Sequence, residues 1–223
     1  MVIHLLYCFV SLRTPTFAIL ALTGLFLFGC TPQISSKASH TQLSLSALEL
    51  QEGGIAFITP STVTGQEEEK QAVAFVFAST LMNERPDLRI VPLPETLSII
   101  NRAGLTNEYK QMFQEYKDTG IFSRQTLSRI AEASGARYLA QLKLAGFSQR
   151  SSNRFGVFGL RMIETKSATI RLFFQLWDGR LGVITWEGVQ ELSWSEEKIA
   201  EAPITLQTLM DKAAKDIAAR LPR

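Results

Sequence analysis

The sequence predicts an α/β domain, a three-layer-like mixed β-sheet of about five strands with helices packed on it, in the order β-α-β-α-α-α-β-β-β-α. Three observations lead there. Apolar residues recur at helical spacing between Glu67 and Ser134, with one short apolar run of strand length before that stretch and one within it. From Arg137 onward the period changes to two. After Pro203 it returns to threes and fours, so a helix closes the chain.

The elements follow in order. Gly53 to Thr59 (GGIAFIT) is a short apolar run ended by Pro60, the pattern of a strand buried on both faces. Glu67, Glu68 and Glu69 then suit a first helical turn, where negative charge meets the positive end of the helix dipole. That helix is expected to run to about Asn83, because Pro86 stops it. Its middle, Ala72 to Ala78 (AVAFVFA), is apolar on every side. Either it is sandwiched in the core, or Phe75, off the Val73-Phe77-Leu81 stripe, faces a partner. Leu88 to Val91 is a second short strand, and helices follow from about Pro94 to Gly104, Thr106 to Lys117 and Ser123 to Ser134.

In the period-two region, Tyr138, Ala140, Leu142 and Leu144 form one apolar face, as do Ile170, Leu172, Phe174 and Leu176. Asp178-Gly179 begins a tight turn, so Ala168 to Trp177 and Gly182 to Trp194 are expected as an antiparallel hairpin. On its second strand, Ile184, Trp186, Leu192 and Trp194 are expected on one face and Thr185, Glu187 and Glu191 on the other. Lys143, Arg171, Glu187 and Glu191 then share a polar face. Leu206, Met210, Ala213, Ile217 and Leu221 mark the inner stripe of the last helix.

Upstream of this domain, Phe17 to Phe28 is uncharged and apolar but shorter than the roughly 20 residues that cross a bilayer as a helix. It reads as the apolar core of a secretory signal. Leu27-Phe28-Gly29-Cys30 resembles the lipobox of bacterial lipoproteins, with Phe28 standing where a small residue is usual. The resemblance implies cleavage before Cys30, a signal peptide over 1–29, and a lipid on Cys30 that anchors the chain to a membrane. Thr31 stands where the resembled class carries Asp for inner-membrane retention, which implies the outer membrane, with the domain in the periplasm. Residues 30–51 are rich in Ser, Thr and Gln and are expected to be a flexible tether, leaving 52–223 as one domain.

Several local patterns resemble a superfamily of envelope domains. They are the strand ending in Pro (Ile55 to Pro60), an Arg-Ile-Val strand, the Ser-Gly-Ala-Arg-Tyr-Leu turn (Ser134 to Leu139) and the late Leu-Trp-Asp-Gly turn (Leu176 to Gly179). The superfamily includes the curli-secretion lipoprotein, the lipoprotein activators of penicillin-binding proteins and the amino-terminal domain of TolB. The resemblance spans roughly Gly53 to Leu221 and implies a non-catalytic binding or assembly domain. It carries no functional residue across.

The chemistry available agrees with that implication. His4, His40, Cys8 and Cys30 all precede residue 52, so the domain has neither His nor Cys. Ser-His and Cys-His nucleophiles and the usual zinc ligand sets are therefore excluded, and no cofactor or metal is expected. With 23 basic and 21 acidic residues interleaved, nothing suggests nucleic acid. Glu187 and Glu191 are formally a carboxylate pair for a cell-wall carbohydrate hydrolase, but they read more simply as a solvated strand face.

The segment Arg150 to Arg161 (RSSNRFGVFGLR) is expected to be a long loop. Phe155, Val157, Phe158 and Leu160 lie among its arginines and glycines and, with Phe75, form the candidate partner surface. The expected role is a membrane-tethered adaptor that binds another envelope protein or its own copy. A component of an outer-membrane export pore is the alternative, weakened by the poor alternation of this one insertion.

Overall fold

In a computed structural model of the chain, residues 32–62, 66–157, 160–198 and 204–223 are described. Side chains are described over the same ranges except 152–164, 197 and 198. The chain is a mixed α/β domain, and the described residues form seven strands and six helices. In chain order these are β1 (Gln33–Gln42), α1 (Ala47–Gly53), β2 (Ile55–Phe57), β3 (Ser61–Thr62), α2 (Glu67–Glu84), β4 (Ile90–Val91) and α3 (Leu93–Arg102). They continue with α4 (Thr106–Thr119), α5 (Arg124–Ser134), β5 (Tyr138–Val157), β6 (Leu160–Asp178), β7 (Val183–Lys198) and α6 (Leu206–Ala218).

One sheet holds all the strands in the order β1-β7-β6-β5-β2-β4, with β3 paired to β5 alongside. β2 runs parallel to both β4 and β5, and β3 runs parallel to β5. The β5-β6-β7-β1 half is antiparallel throughout. This division follows from the connections, because parallel neighbours need a crossover helix and antiparallel ones need only a turn.

Two apolar cores lie on opposite faces of the sheet, which makes three layers. On one face Phe57, Tyr138, Ala140, Leu142, Ile170, Phe174 and Trp186 meet Val73, Phe77 and Leu81 of α2 and Leu209, Ala213 and Ile217 of α6. On the other, Ala56, Ile58, Leu139 and Trp177 meet Ile100 of α3, Met112 of α4 and Leu127 and Ile130 of α5. β2 is accordingly buried on both faces, as its unbroken apolar run predicts. Phe77 stacks on Phe174 at 4.9 Å between ring centroids, and Phe174 meets Trp186 edge-on at 5.8 Å.

Three sequence expectations are corrected. The segment expected as a flexible tether over 30–51 contains β1, paired with β7 from Gln33↔Ser195 to Gln42↔Trp186, and α1. Its low hydrophobicity reflects position at the sheet edge, where backbone pairing rather than side-chain burial holds the strand. Ser46 caps α1, accepting from the Glu49 N–H while the Glu49 carboxylate accepts from the Ser46 N–H.

Of the expected loop Arg150 to Arg161, residues 150–157 and 160–161 are strand. β5 and β6 stay paired out to Val157↔Leu160, so the hairpin extends as a ribbon well past the helices. The ladder needs only backbone groups, and Ser148↔Thr169 suits its exposed face, while Ala168 and Ile170 of β6 are buried on the other. An extra residue, Ala145, breaks the register between Leu144 and Gly146, so that Phe147, itself exposed, pairs with the core residue Ile170.

The third correction concerns the far end of the hairpin. Leu176 pairs with Trp186 but Trp177 pairs with Ile184, which leaves Thr185 as a bulge. Its hydroxyl donates to the Leu176 carbonyl at 3.1 Å. The bulge turns Ile184 to the face opposite Trp186, where it packs against the core around Trp177. Of the polar face expected around Lys143, Arg171, Glu187 and Glu191, the structure shows an Arg171–Glu191 ion pair at 3.1 Å, and Glu187 accepts from Gln175.

The carboxyl end of the chain is tied to the end of α2. Arg85, only 2% exposed, donates from Nη2 to the Pro222 carbonyl at 2.9 Å and holds Asp87 at 2.8 Å from both Nε and Nη2. The hydrogen bonds from Arg85 hold the Asp87 carboxyl down to about 2, from an ordinary 3.8. A depressed carboxyl contributes stability that is complete above 3.8 and is lost as pH falls towards about 2. Asp87→Asn is therefore expected to flatten the acid limb of the stability curve in that window, checked by urea unfolding at stepped pH; an unchanged limb would contradict the pairing.

Candidate interaction surface

α2 places its residues by simple periodicity. Val73, Ala74, Phe77, Ala78 and Leu81 are buried, and Phe75, two steps of 100° from Phe77, points away from them. Phe75 is 67% exposed, the most exposed of the large apolar side chains described. Of the two sequence readings of the all-round apolar segment, a position sandwiched in the core does not hold for Phe75, which is exposed.

Beside Phe75 the start of α3 supplies a second apolar wall. Leu93 and Leu97, one helical turn apart, and Pro94 join Gln71, Ala72 and Phe75 in an open groove of about 470 Å³. Leu93 is buried, Leu97 is half-buried and Pro94 is exposed, so the groove has a fixed floor and a solvent-facing rim. The α2 side carries Glu68 one turn before Gln71 and Ala72 on the same face, and the α3 side carries Glu95. Its chemistry suits apolar side chains from a partner, with positive charge at the margin.

Phe75 alone among the groove residues is legible as exposed from the sequence. Leu93, Pro94 and Leu97 were missed because a groove is a property of two helices side by side. The available signal was Leu93 and Leu97 at a spacing of four behind a helix-starting Pro92-Leu93-Pro94. Of the remaining candidate residues, Phe155, Val157 and Leu160 lie on backbone of the ribbon, and their side chains are outside the described residues. Phe158 and Cys30 lie outside the described residues altogether.

The two turns singled out by the sequence resemblance meet in space. Arg137 donates to Asp178 Oδ2 from Nε and Nη2, each at 2.8 Å, and reaches Glu49 at 3.2 Å. The other Asp178 oxygen accepts from the backbone N–H groups of Arg180 at 2.8 Å and Leu181 at 3.1 Å. Asp178 is fully buried, so every lone pair matters, and this network fixes the β6–β7 turn against the start of β5. Gly182, at φ 72°, completes the turn where a side chain would strike Arg124. The role is structural. A polar concavity of about 370 Å³ next to it, lined by Glu52, Glu132, Arg137 and Arg180 among others, mixes both charges.

Glu187 and Glu191 are both engaged by β6, through Gln175 and Arg171 respectively. Among the described residues no group of three or more His, Cys, Asp or Glu side chains could hold a metal ion, and no helix is long and apolar enough to cross a membrane.

No protein-family model matches the sequence, and no curated protein sequence matches it. Solved structures do. The chain is similar to the PelC dodecamer from Paraburkholderia phytofirmans, at 13% identity and a TM-score of 0.47 over 85% of this chain and 99% of that one. It is similar to lipoprotein GNA1162 from Neisseria meningitidis, at 14% identity and a TM-score of 0.35 over 75% and 98%. It is similar to the LpoB C-terminal domain from Salmonella enterica, at 14% identity and a TM-score of 0.34 over 63% and 82%. One of these is a lipoprotein by description, the class that the sequence resemblance named. At such scores the likeness carries no residue role and no activity.

Proposed function

We propose that the chain is a lipid-anchored, non-catalytic envelope adaptor that binds a protein partner through the groove between α2 and α3. The observation that carries this reading is Phe75, a large apolar side chain 67% exposed over a groove whose other lining is mainly Ala72, Leu93, Pro94 and Leu97. An exposed aromatic next to a preformed apolar concavity is costly to leave in water and is the usual chemistry of a binding hot spot. Phe75→Asp in the full chain is expected to lower partner recovery from crosslinked membranes about tenfold or more, while the melting temperature stays within a few degrees. Unchanged recovery would overturn the reading.

The anchor rests on the lipobox-like Leu27-Phe28-Gly29-Cys30. Cys30→Ser is expected to abolish acyl labelling and to release the chain from outer-membrane fractions; continued labelling would sink the anchor. The pore alternative gains a strand hairpin where a loop was expected, but not the apolar band that a membrane strand needs. From Ser148 to Asn153, β5 reads Ser-Gln-Arg-Ser-Ser-Asn, polar on both faces, against the alternation required of lipid-facing strands.

A further inference from the structure

β1 begins at Gln33, and only Thr31 and Pro32 separate it from Cys30. A chain of that length spans at most about 10 Å. A lipid on Cys30 therefore brings the bilayer to the start of β1, and no tether holds the domain away from it.

The sheet is apolar and incompletely covered at that place. Gln149, Ala168, Trp194 and Ile34 form one row across four strands, on the face that α2 and α6 cover, and Phe147 stands in the next row beside Ile170. Ile34 is 42% exposed, Phe147 is 36% exposed and Trp194 is half-buried. They are left open because the helix layer ends here. Gln149 Nε2 donates to the Ile204 carbonyl at 2.5 Å, and α6 starts only at Leu206. Arg150, exposed, stands level with Gln33 through the pairs Arg150↔Ser167, Ser167↔Ser195 and Gln33↔Ser195. Apolar side chains are exposed at the far end of the strands too, at Leu181 and Val183, so the position of the anchor decides between the two ends.

We propose that the end of the sheet where β1 begins rests in the lipid interface, with Ile34, Phe147 and the Trp194 ring where acyl chains meet headgroups and Arg150 towards the lipid phosphates. This rests on the anchor reading of Cys30 and adds the face of the domain that meets the membrane. The lipid holds the chain to the bilayer, while buried apolar area and a cation facing anionic lipid fix how the domain lies on it. An indole suits that depth because its ring is amphipathic. β1 then climbs away from the bilayer, and Thr41, seven residues on, stands on the order of 20 Å further from it than Ile34. The β5–β6 ladder continues past this row, and the twist of about 20 to 25° between neighbouring strands turns it away from the direction of β1.

The test uses the full, lipidated chain in vesicles of phosphatidylethanolamine and phosphatidylglycerol. With Cys8 lost in the leader and Cys30 acylated, an introduced cysteine is the only free thiol and can carry a fluorescent dye. Ile34→Cys and Phe147→Cys probe the proposed contact, Thr41→Cys the other end of β1 and Leu181→Cys the β6–β7 turn. Quenching by spin-labelled lipid is expected to be at least about threefold stronger at positions 34 and 147 than at 41 and 181. Equal quenching at 34 and 41 would overturn the proposal, because β1 would then lie along the bilayer. So would a chain that floats with the vesicles and is quenched nowhere, or most at 181; in both cases the anchor stands. Shielding at position 34 that persists without lipid in a Cys30→Ser chain of doubled particle mass would assign the edge to a second copy and overturn it as well. A chain that carries no acyl group and does not float removes the anchor, and this proposal with it.

Discussion

Trp186→Ala is expected to destabilise the domain by about 3 to 5 kcal/mol, the range for removing a fully buried large aromatic. Trp186 has no exposed surface, meets Phe174 edge-on and lies over Gly188, where a Cβ would come within 2.5 Å of the indole. It also stacks under His40 of β1, with ring centroids 5.9 Å apart, so the substitution loosens the edge strand as well as the core. Glu187→Ala, one residue along and on the opposite face, is expected to cost about 0.5 kcal/mol or less. Equal small losses at both positions in urea titrations would show that the register of β7 is wrong.

Arg137→Ala is expected to cost about 3 to 5 kcal/mol, because it leaves the buried Asp178 carboxylate without its cation. The two N–H bonds from Arg180 and Leu181 remain on Oδ1, but Oδ2 loses both donors from Arg137. The double variant Arg137→Ala with Asp178→Asn is expected to recover part of that loss, since the charge goes with its partner. A single-variant loss below about 1 kcal/mol would mean that the pair is solvent-screened and that the β6–β7 turn is held by other contacts.

Much of the fold was legible because burial leaves a period in the sequence. The stripe Val73, Phe77 and Leu81 and the alternation Ile170, Leu172, Phe174 and Leu176 both lie in the core as read. What stayed hidden lacks a period. The Thr185 bulge shifts Ile184 to the other face through one unpaired residue, and no residue type announces it. β1 and the stretch Ser148 to Asn153 of β5 are polar on both sides in sequence, so they resemble a tether and a loop until backbone pairing is seen. Two of the patterns that carry the sequence resemblance, the turns at Ser134 to Leu139 and Leu176 to Gly179, meet in one ion pair, Arg137 and Asp178. At the candidate site Phe75 was legible from its position off the stripe, whereas the wall of Leu93, Pro94 and Leu97 needed the packing of α3 beside α2.

The central claim is that the α2–α3 groove is a protein-binding surface on an anchored chain. Its most direct test is a photo-crosslinking amino acid at position 75, compared in living cells with the same probe at position 191 on the exposed sheet face. The account predicts discrete protein adducts from position 75 and none of comparable yield from position 191. Adducts to lipid alone, or equal yields from both positions, would contradict it.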